Sequence, residues 1–177
     1  MVSRVRERMV DGHLEMRARG RRPLRSWELR DESGSLAVLG ARSWLSIYIG
    51  RGQHIRLADG RSGRIAATGL HNWIVPVVVD DRGNTVARAT PGPHGSYTID
   101  TVEEGLNLVP MSTRTWRSKP TQWELRSWDE AVASLTVRPE TIDTSRPIPL
   151  AAVFLAFTVM SLGIPGEFAI GTPRLQW

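Results

Sequence analysis

Four histidines, His13, His54, His71 and His94, are the first candidates for metal or acid–base chemistry in this chain. No two of them stand at the short spacing that sets a zinc pair on one element. Glu103-Glu104 offers two carboxylates. Neighbours on a strand point to opposite faces, so the pair does not read as a shared acid–base site. Asp80-Asp81-Arg82-Gly83-Asn84 has the oxygen-rich composition of a calcium loop. Arg82 lies inside it and no glutamate is spaced to complete the ligand set, so it reads as a turn. A Gly-x-Ser-x-Gly elbow, a phosphate loop and a dinucleotide fingerprint are all missing from the sequence. With no nucleophile, base or cofactor loop to name, the chain reads as a non-enzyme that needs no cofactor and no metal.

Anion binding is the chemistry the residues do offer. Arg114, Trp116, Arg117 and Lys119 cluster in sequence, with Arg126 close behind. Cations beside an indole suit an anionic lipid headgroup, and a solvated strand end is the plain alternative. The net charge of +5 is unevenly spread. Residues 1–25 hold eight arginines, among them Arg17, Arg19, Arg21, Arg22 and Arg25, against three acidic residues. The remaining chain is neutral. Such an arm attracts nucleic acid or anionic lipid, or serves as a solubilising tail. Seven tryptophans outnumber the two tyrosines and three phenylalanines, and Trp27, Trp44, Trp73, Trp116, Trp123 and Trp128 fall in or beside strand candidates. Core packing and barrel-end closure account for them, with a lipid- or base-stacking surface as the functional alternative. Ser-Trp-Glu-Leu-Arg at Trp27 and Gln-Trp-Glu-Leu-Arg at Trp123 put Trp and Leu on one face, which favours the core.

The elements that must carry these residues are mostly strands. From Ser26 to about Ile142 short alternating runs recur between turn residues, enough for about ten to twelve antiparallel strands. The turn glycines Gly34, Gly60, Gly83 and Gly105 are spaced by 26, 23 and 22 residues, as expected of a repeated hairpin unit. So many short strands in 177 residues call for a sandwich or a closed barrel, because open edges invite aggregation. Cysteine is absent, so no disulfide contributes. Residues 1–20 suggest a short helix on the weak stripe Val5, Met9, Leu14 and Met16.

Pro147 to Gly166 contains no charge. It predicts a helix over about 149–163, opened by Pro149 and stopped by Gly163 and Pro165. Leu150, Val153, Phe154, Leu155, Phe157, Val159, Met160 and Leu162 leave it apolar on every side. Such a helix is buried either in protein or in lipid. Ile148 to Ile164 spans about 25 Å, short of the roughly 30 Å hydrocarbon core, though a tail anchor stays open. A barrel of ten or more strands is too wide to fill with its own side chains, and a slim apolar helix fills it. The plug satisfies barrel and helix together, so it is preferred over the anchor.

This order of elements resembles the tubby C-terminal-like superfamily, which includes the tubby proteins, the plant LURP-one-related proteins and the phospholipid scramblases. The local matches are Trp27-Glu28-Leu29-Arg30-Asp31-Glu32-Ser33-Gly34, Ile55-Arg56-Leu57-Ala58-Asp59-Gly60 and Val78-Val79-Asp80-Asp81-Arg82-Gly83-Asn84-Thr85-Val86-Ala87. The apolar run Leu150-Ala151-Ala152-Val153-Phe154-Leu155-Ala156-Phe157 completes them. The resemblance covers about residues 26–166 and implies a twelve-stranded barrel around a central helix. It also implies a non-enzymatic role at membranes, since tubby proteins bind phosphoinositides. Scramblases carry an acidic calcium-binding segment before the helix. Pro139 to Arg146 holds only Glu140 and Asp143 there, which departs from that pattern.

The expected organisation is therefore a basic arm over 1–25, a mainly β barrel with its helix over 26–166, and a tail over 167–177. The expected partner is an anionic membrane lipid, with nucleic acid second. The N-terminus shows no secretory pattern, so the expected location is cytoplasmic and peripheral at the membrane.

Overall fold

A computed structural model describes residues 8–20, 26–40, 53–68, 75–112 and 120–162, with helix side chains given as far as Met160. Fourteen strands precede one α-helix among these residues, with a short 3-10 turn at Pro93–Gly95 between the eighth and ninth strands. They are β1 (Met9–Val10), β2 (His13–Arg19), β3 (Ser26–Asp31), β4 (Gly34–Leu39), β5 (Gln53–Leu57), β6 (Ser62–Thr68) and β7 (Val75–Asp80). Then follow β8 (Thr85–Pro91), β9 (Tyr97–Thr101), β10 (Gly105–Pro110), β11 (Gln122–Ser127), β12 (Glu130–Val137), β13 (Glu140–Thr144) and β14 (Ile148–Pro149). The helix α1 runs Leu150–Leu162.

Strands β2 to β13 form one closed twelve-stranded barrel, in chain order, sealed where β13 pairs with β2. Every neighbouring pair is antiparallel. The period-2 pattern supplies the lumen. Leu14, Leu29, Ala37, Ile55, Ile65, Val78, Ala87, Ile99, Leu106, Leu125, Leu135 and Ile142 point inward from successive strands and are buried. They join one core with α1. All the helix side chains from Leu150 to Met160 are buried, including the small Ala151, Ala152 and Ala156 that let the strands approach. Thr158 is accommodated by donating its hydroxyl to the carbonyl of Phe154. The apolar helix thus lies within the barrel, as its uninterrupted hydrophobicity requires. No described helix is long and apolar enough to cross a membrane. Pro149 closes β14 rather than opening the helix.

The N-terminal expectation is corrected. Residues 9–10 and 13–19 are strands, not a helix, and the barrel begins at His13 instead of Ser26. Leu14 and Met16 alternate with His13, Glu15, Arg17 and Arg19, the pattern of a half-buried strand. β1 pairs with β14, and the amide of Leu150 donates to the carbonyl of Arg8. The chain before the barrel therefore anchors the first turn of the helix.

Three register shifts bend the wall, at Leu29/Arg30, Val78/Val79 and Leu125/Arg126. The extra residues are Leu36 on β4, Val86 on β8 and Val132 on β12, each four strands from the next around the ring. A bulge sharpens the local bend and twist of its strand. Three evenly spaced bends help to close the ring. The matching Trp-Glu-Leu-Arg runs at Trp27 and Trp123 occupy the same place in two of these units.

Candidate functional site

Antiparallel strands in chain order divide the connections between two rims. Five hairpin turns, β3–β4, β5–β6, β7–β8, β9–β10 and β11–β12, close one rim. The connections from β2 to β3, β4 to β5, β6 to β7, β8 to β9, β10 to β11 and β12 to β13 all join strand ends at the other. We call these the hairpin rim and the loop rim.

The hairpin turns satisfy themselves. The Asp31 carboxylate accepts from the Ser33 amide, the Ser33 hydroxyl and the Gly34 amide, at 2.8, 2.6 and 3.0 Å. Asp59 accepts from the Arg61 amide and guanidinium. Asp80 accepts from the amides of Arg82 and Asn84 and from the Asn84 side chain. Hydrogen bonds from Ser33, Arg61 and Asn84, respectively, hold the three carboxyls below the ordinary aspartate range. The calcium-like Asp80 segment is therefore a capped turn, its carboxylate spent on its own backbone. Gly34, Gly60 and Gly83 supply the positive φ these turns need, whereas Gly105 simply begins β10.

The two sets of connections differ in the charges their sequences carry. The five hairpin turns, 31–34, 58–61, 80–84, 101–105 and 127–130, carry nine carboxylates against Arg61 and Arg82. The loop-rim connections, 20–25, 40–52, 69–74, 92–96, 111–121 and 138–139, carry nine cationic residues and no carboxylate. Trp44, Trp73 and Trp116 belong to the same connections.

Most of the residues singled out for anion binding fall in this second group. Arg21, Arg22 and Arg25, and likewise Arg114, Trp116, Arg117 and Lys119, lie outside the described residues. The strand ends flanking both groups share the loop rim. Arg126 does not join them. It lies at the hairpin end of β11, opposite Asn107, and its guanidinium is bound to Glu124 at 2.8 Å. Arg17 and Arg19 belong to the barrel wall rather than to an arm. Arg17 pairs with Glu15 at 2.7 Å, which raises the guanidinium pKa and lowers that of the Glu15 carboxyl. Arg19 contacts Glu28 at 3.4 Å, and Arg30 reaches the same carboxylate from the other side at 3.7 Å. Leu150, Val153, Phe154, Leu155, Phe157, Val159 and Met160 fill the lumen; the side chain of Leu162 lies beyond the described ones.

The wall of β5 and β6 adds Arg56 and Arg64, which the sequence reading did not single out as a site, beside His54. His54 and Arg64 are register partners, and Arg56 lies diagonally from Arg64. All three are exposed and form no ion pair among the described residues. His13 bridges the barrel seam to Asp143 at 2.6 Å. Among the described residues no group of three His, Asp or Glu side chains is placed to hold a metal ion.

The tryptophans divide. Trp123 is buried and Trp27 packs against the core, as their shared context predicts. Trp128 reverses the expectation of core packing: it is 91% exposed at the tip of the β11–β12 hairpin. Sequence reasoning missed this because the turn lacks a glycine to mark it.

Comparison of the chain with protein-family models, with curated proteins and with solved structures returns no match.

Proposed function

We propose that this protein is a non-enzymatic binding module that docks its loop rim on anionic membrane lipids of the phosphoinositide type. The observation that carries the reading is the segregation of charge. The sequences that connect strand ends at one rim hold nine cations and no carboxylate, and the turns that connect them at the other hold nine carboxylates. A one-sided field of this kind orients a molecule towards an anionic surface and concentrates it there. Arg114, Arg117 and Lys119 beside Trp116 combine charge with an indole suited to the headgroup level. Arg21, Arg22 and Arg25 add three cations in the connection between β2 and β3. The twelve-stranded barrel around an apolar helix is also the architecture implied by resemblance to the tubby C-terminal-like superfamily, in which tubby proteins bind phosphoinositides.

The test is flotation of the full-length protein with neutral liposomes and with phosphoinositide-containing liposomes. Binding to the anionic vesicles alone, reversed by high salt and lost in an R114E/R117E/K119E variant, is expected. Equal recovery of wild type and variant with the phosphoinositide-containing vesicles rejects the loop rim as the binding surface.

A further inference from the structure

We propose that Trp128 and the acidic turns around it form a second binding surface, on the hairpin rim, that recognises clustered arginine side chains on a partner polypeptide. Trp128 has φ +55 and the indole is 91% exposed, so it contributes almost nothing to the barrel's own packing. Neighbouring turns on this rim put Gly34, Gly60 and Gly83 at their positive-φ positions. A bulky residue in that conformation is rare, because its Cβ crowds the backbone. A large apolar side chain displayed at the cost of backbone comfort has the character of an interaction anchor.

The surroundings define what it would bind. β10 and β11 pair with Asn107 opposite Arg126, and continuing that register by two residues sets Gly105 beside Trp128. The β9–β10 turn therefore flanks the indole. It brings Val102, 63% exposed, and the carboxylates of Glu103 and Glu104. Asp129 and Glu130 follow Trp128 directly, and both are exposed. Arg146 is taken by Glu104 and its charge also reaches Glu130, while Arg126 is taken by Glu124, so Glu103 and Asp129 are the carboxylates left without a guanidinium. An exposed indole on a rim whose adjoining turns carry Glu103 and Asp129 suits a guanidinium, which stacks on the ring while its N–H groups meet the acids. An ammonium fits less well, because it is compact and strongly hydrated. The same acids repel an anionic bilayer, so this tip is not a membrane wedge. The surface lies at the hairpin rim and is independent of the lipid reading.

The experiment is fluorescence anisotropy of a labelled oligo-arginine peptide and a length-matched oligo-lysine peptide with the full-length protein. The arginine peptide should bind more tightly. Trp128→Gly should weaken it by roughly three- to tenfold, while Trp128→Tyr retains most of the affinity. Glu103→Gln with Asp129→Asn should weaken both peptides. Thermal melts accompany each variant, and Trp128→Gly should melt no lower than wild type, since glycine suits the positive φ. No binding, equal affinity for the two peptides, or undiminished affinity in Trp128→Gly overturns the proposal.

Discussion

Arg146 holds the carboxylate of Glu104 with both terminal guanidinium nitrogens, at 3.0 and 2.6 Å. The pair joins the β9–β10 turn to the segment that leads from β13 into the helix, and the hydrogen bond to Glu104 raises the Arg146 pKa. It is only part-buried, so solvent screening limits its worth. Arg146→Ala should cost about 1–2 kcal/mol. A double-mutant cycle with Glu104→Ala, followed by urea unfolding, measures the coupling. Additive single effects would mean the fork contributes nothing.

The lumen depends on its occupant. Phe157 is among the largest fully buried side chains of the core. Phe157→Ala should cost about 3–5 kcal/mol, because the surrounding strands cannot collapse onto the space it leaves. Leu155→Asp should give no folded protein, since a carboxylate there has no partner. Chemical denaturation and near-ultraviolet circular dichroism check both.

Gly63 faces a different constraint. A Cβ at this position would meet the carbonyl oxygen of Val79 at 2.7 Å, a backbone atom with little room to move. Gly63→Ala should destabilise by about 1–3 kcal/mol. Alanine at Gly60 meets open space and carries only the penalty of positive φ. The midpoint of Gly63→Ala should therefore fall further than that of Gly60→Ala.

The carboxyls of Asp31, Asp59 and Asp80 titrate lower in the folded protein than in the unfolded chain. Their stabilisation is complete above the unfolded aspartate pKa of about 3.9 and is lost as pH falls through the lower folded values. Stability should therefore decline with acidification below about pH 5. Asp31→Asn with Asp80→Asn should flatten that decline and lower stability at neutral pH. Melting temperatures across an acid series decide it.

Much of the fold was legible because two periods dominate the chain. Alternation at Trp27–Leu29, Ile55–Leu57 and Trp123–Leu125 reports a wall with one apolar face. The charge-free run at Leu150–Leu162 reports a helix with no wet side. β2 was hidden by its own outer face. His13, Glu15, Arg17 and Arg19 read as part of a basic arm, although Leu14 and Met16 already alternate with them. The bulges at Leu36, Val86 and Val132 show in the sequence only as a break in alternation, Leu36-Ala37, Val86-Ala87 and Val132-Ala133, which is too common a pattern to single out. The division into rims needs strand order as well as strand position, so it could not be read from a list of basic residues that the connections 20–25 and 111–121 join strand ends at the same rim. Trp128 was misread because large aromatics usually serve the core, and nothing in Ser127-Trp128-Asp129-Glu130 announces a positive φ.

The seam between β2 and β13 has a kinetic meaning. His13 meets Asp143 across 130 residues of chain, and Gly12 meets Thr144 across 132. Until these ends come together, β2 and β13 both remain unpaired edges, and the lumen lacks the helix that is made after every strand. Loop-closure entropy is thus met early and rewarded late, which makes folding slow. The growing chain spends its synthesis as an incomplete sheet with an apolar face exposed. Its yield should depend on keeping such half-made molecules apart, through dilution or holding chaperones, more than on the stability of the finished barrel.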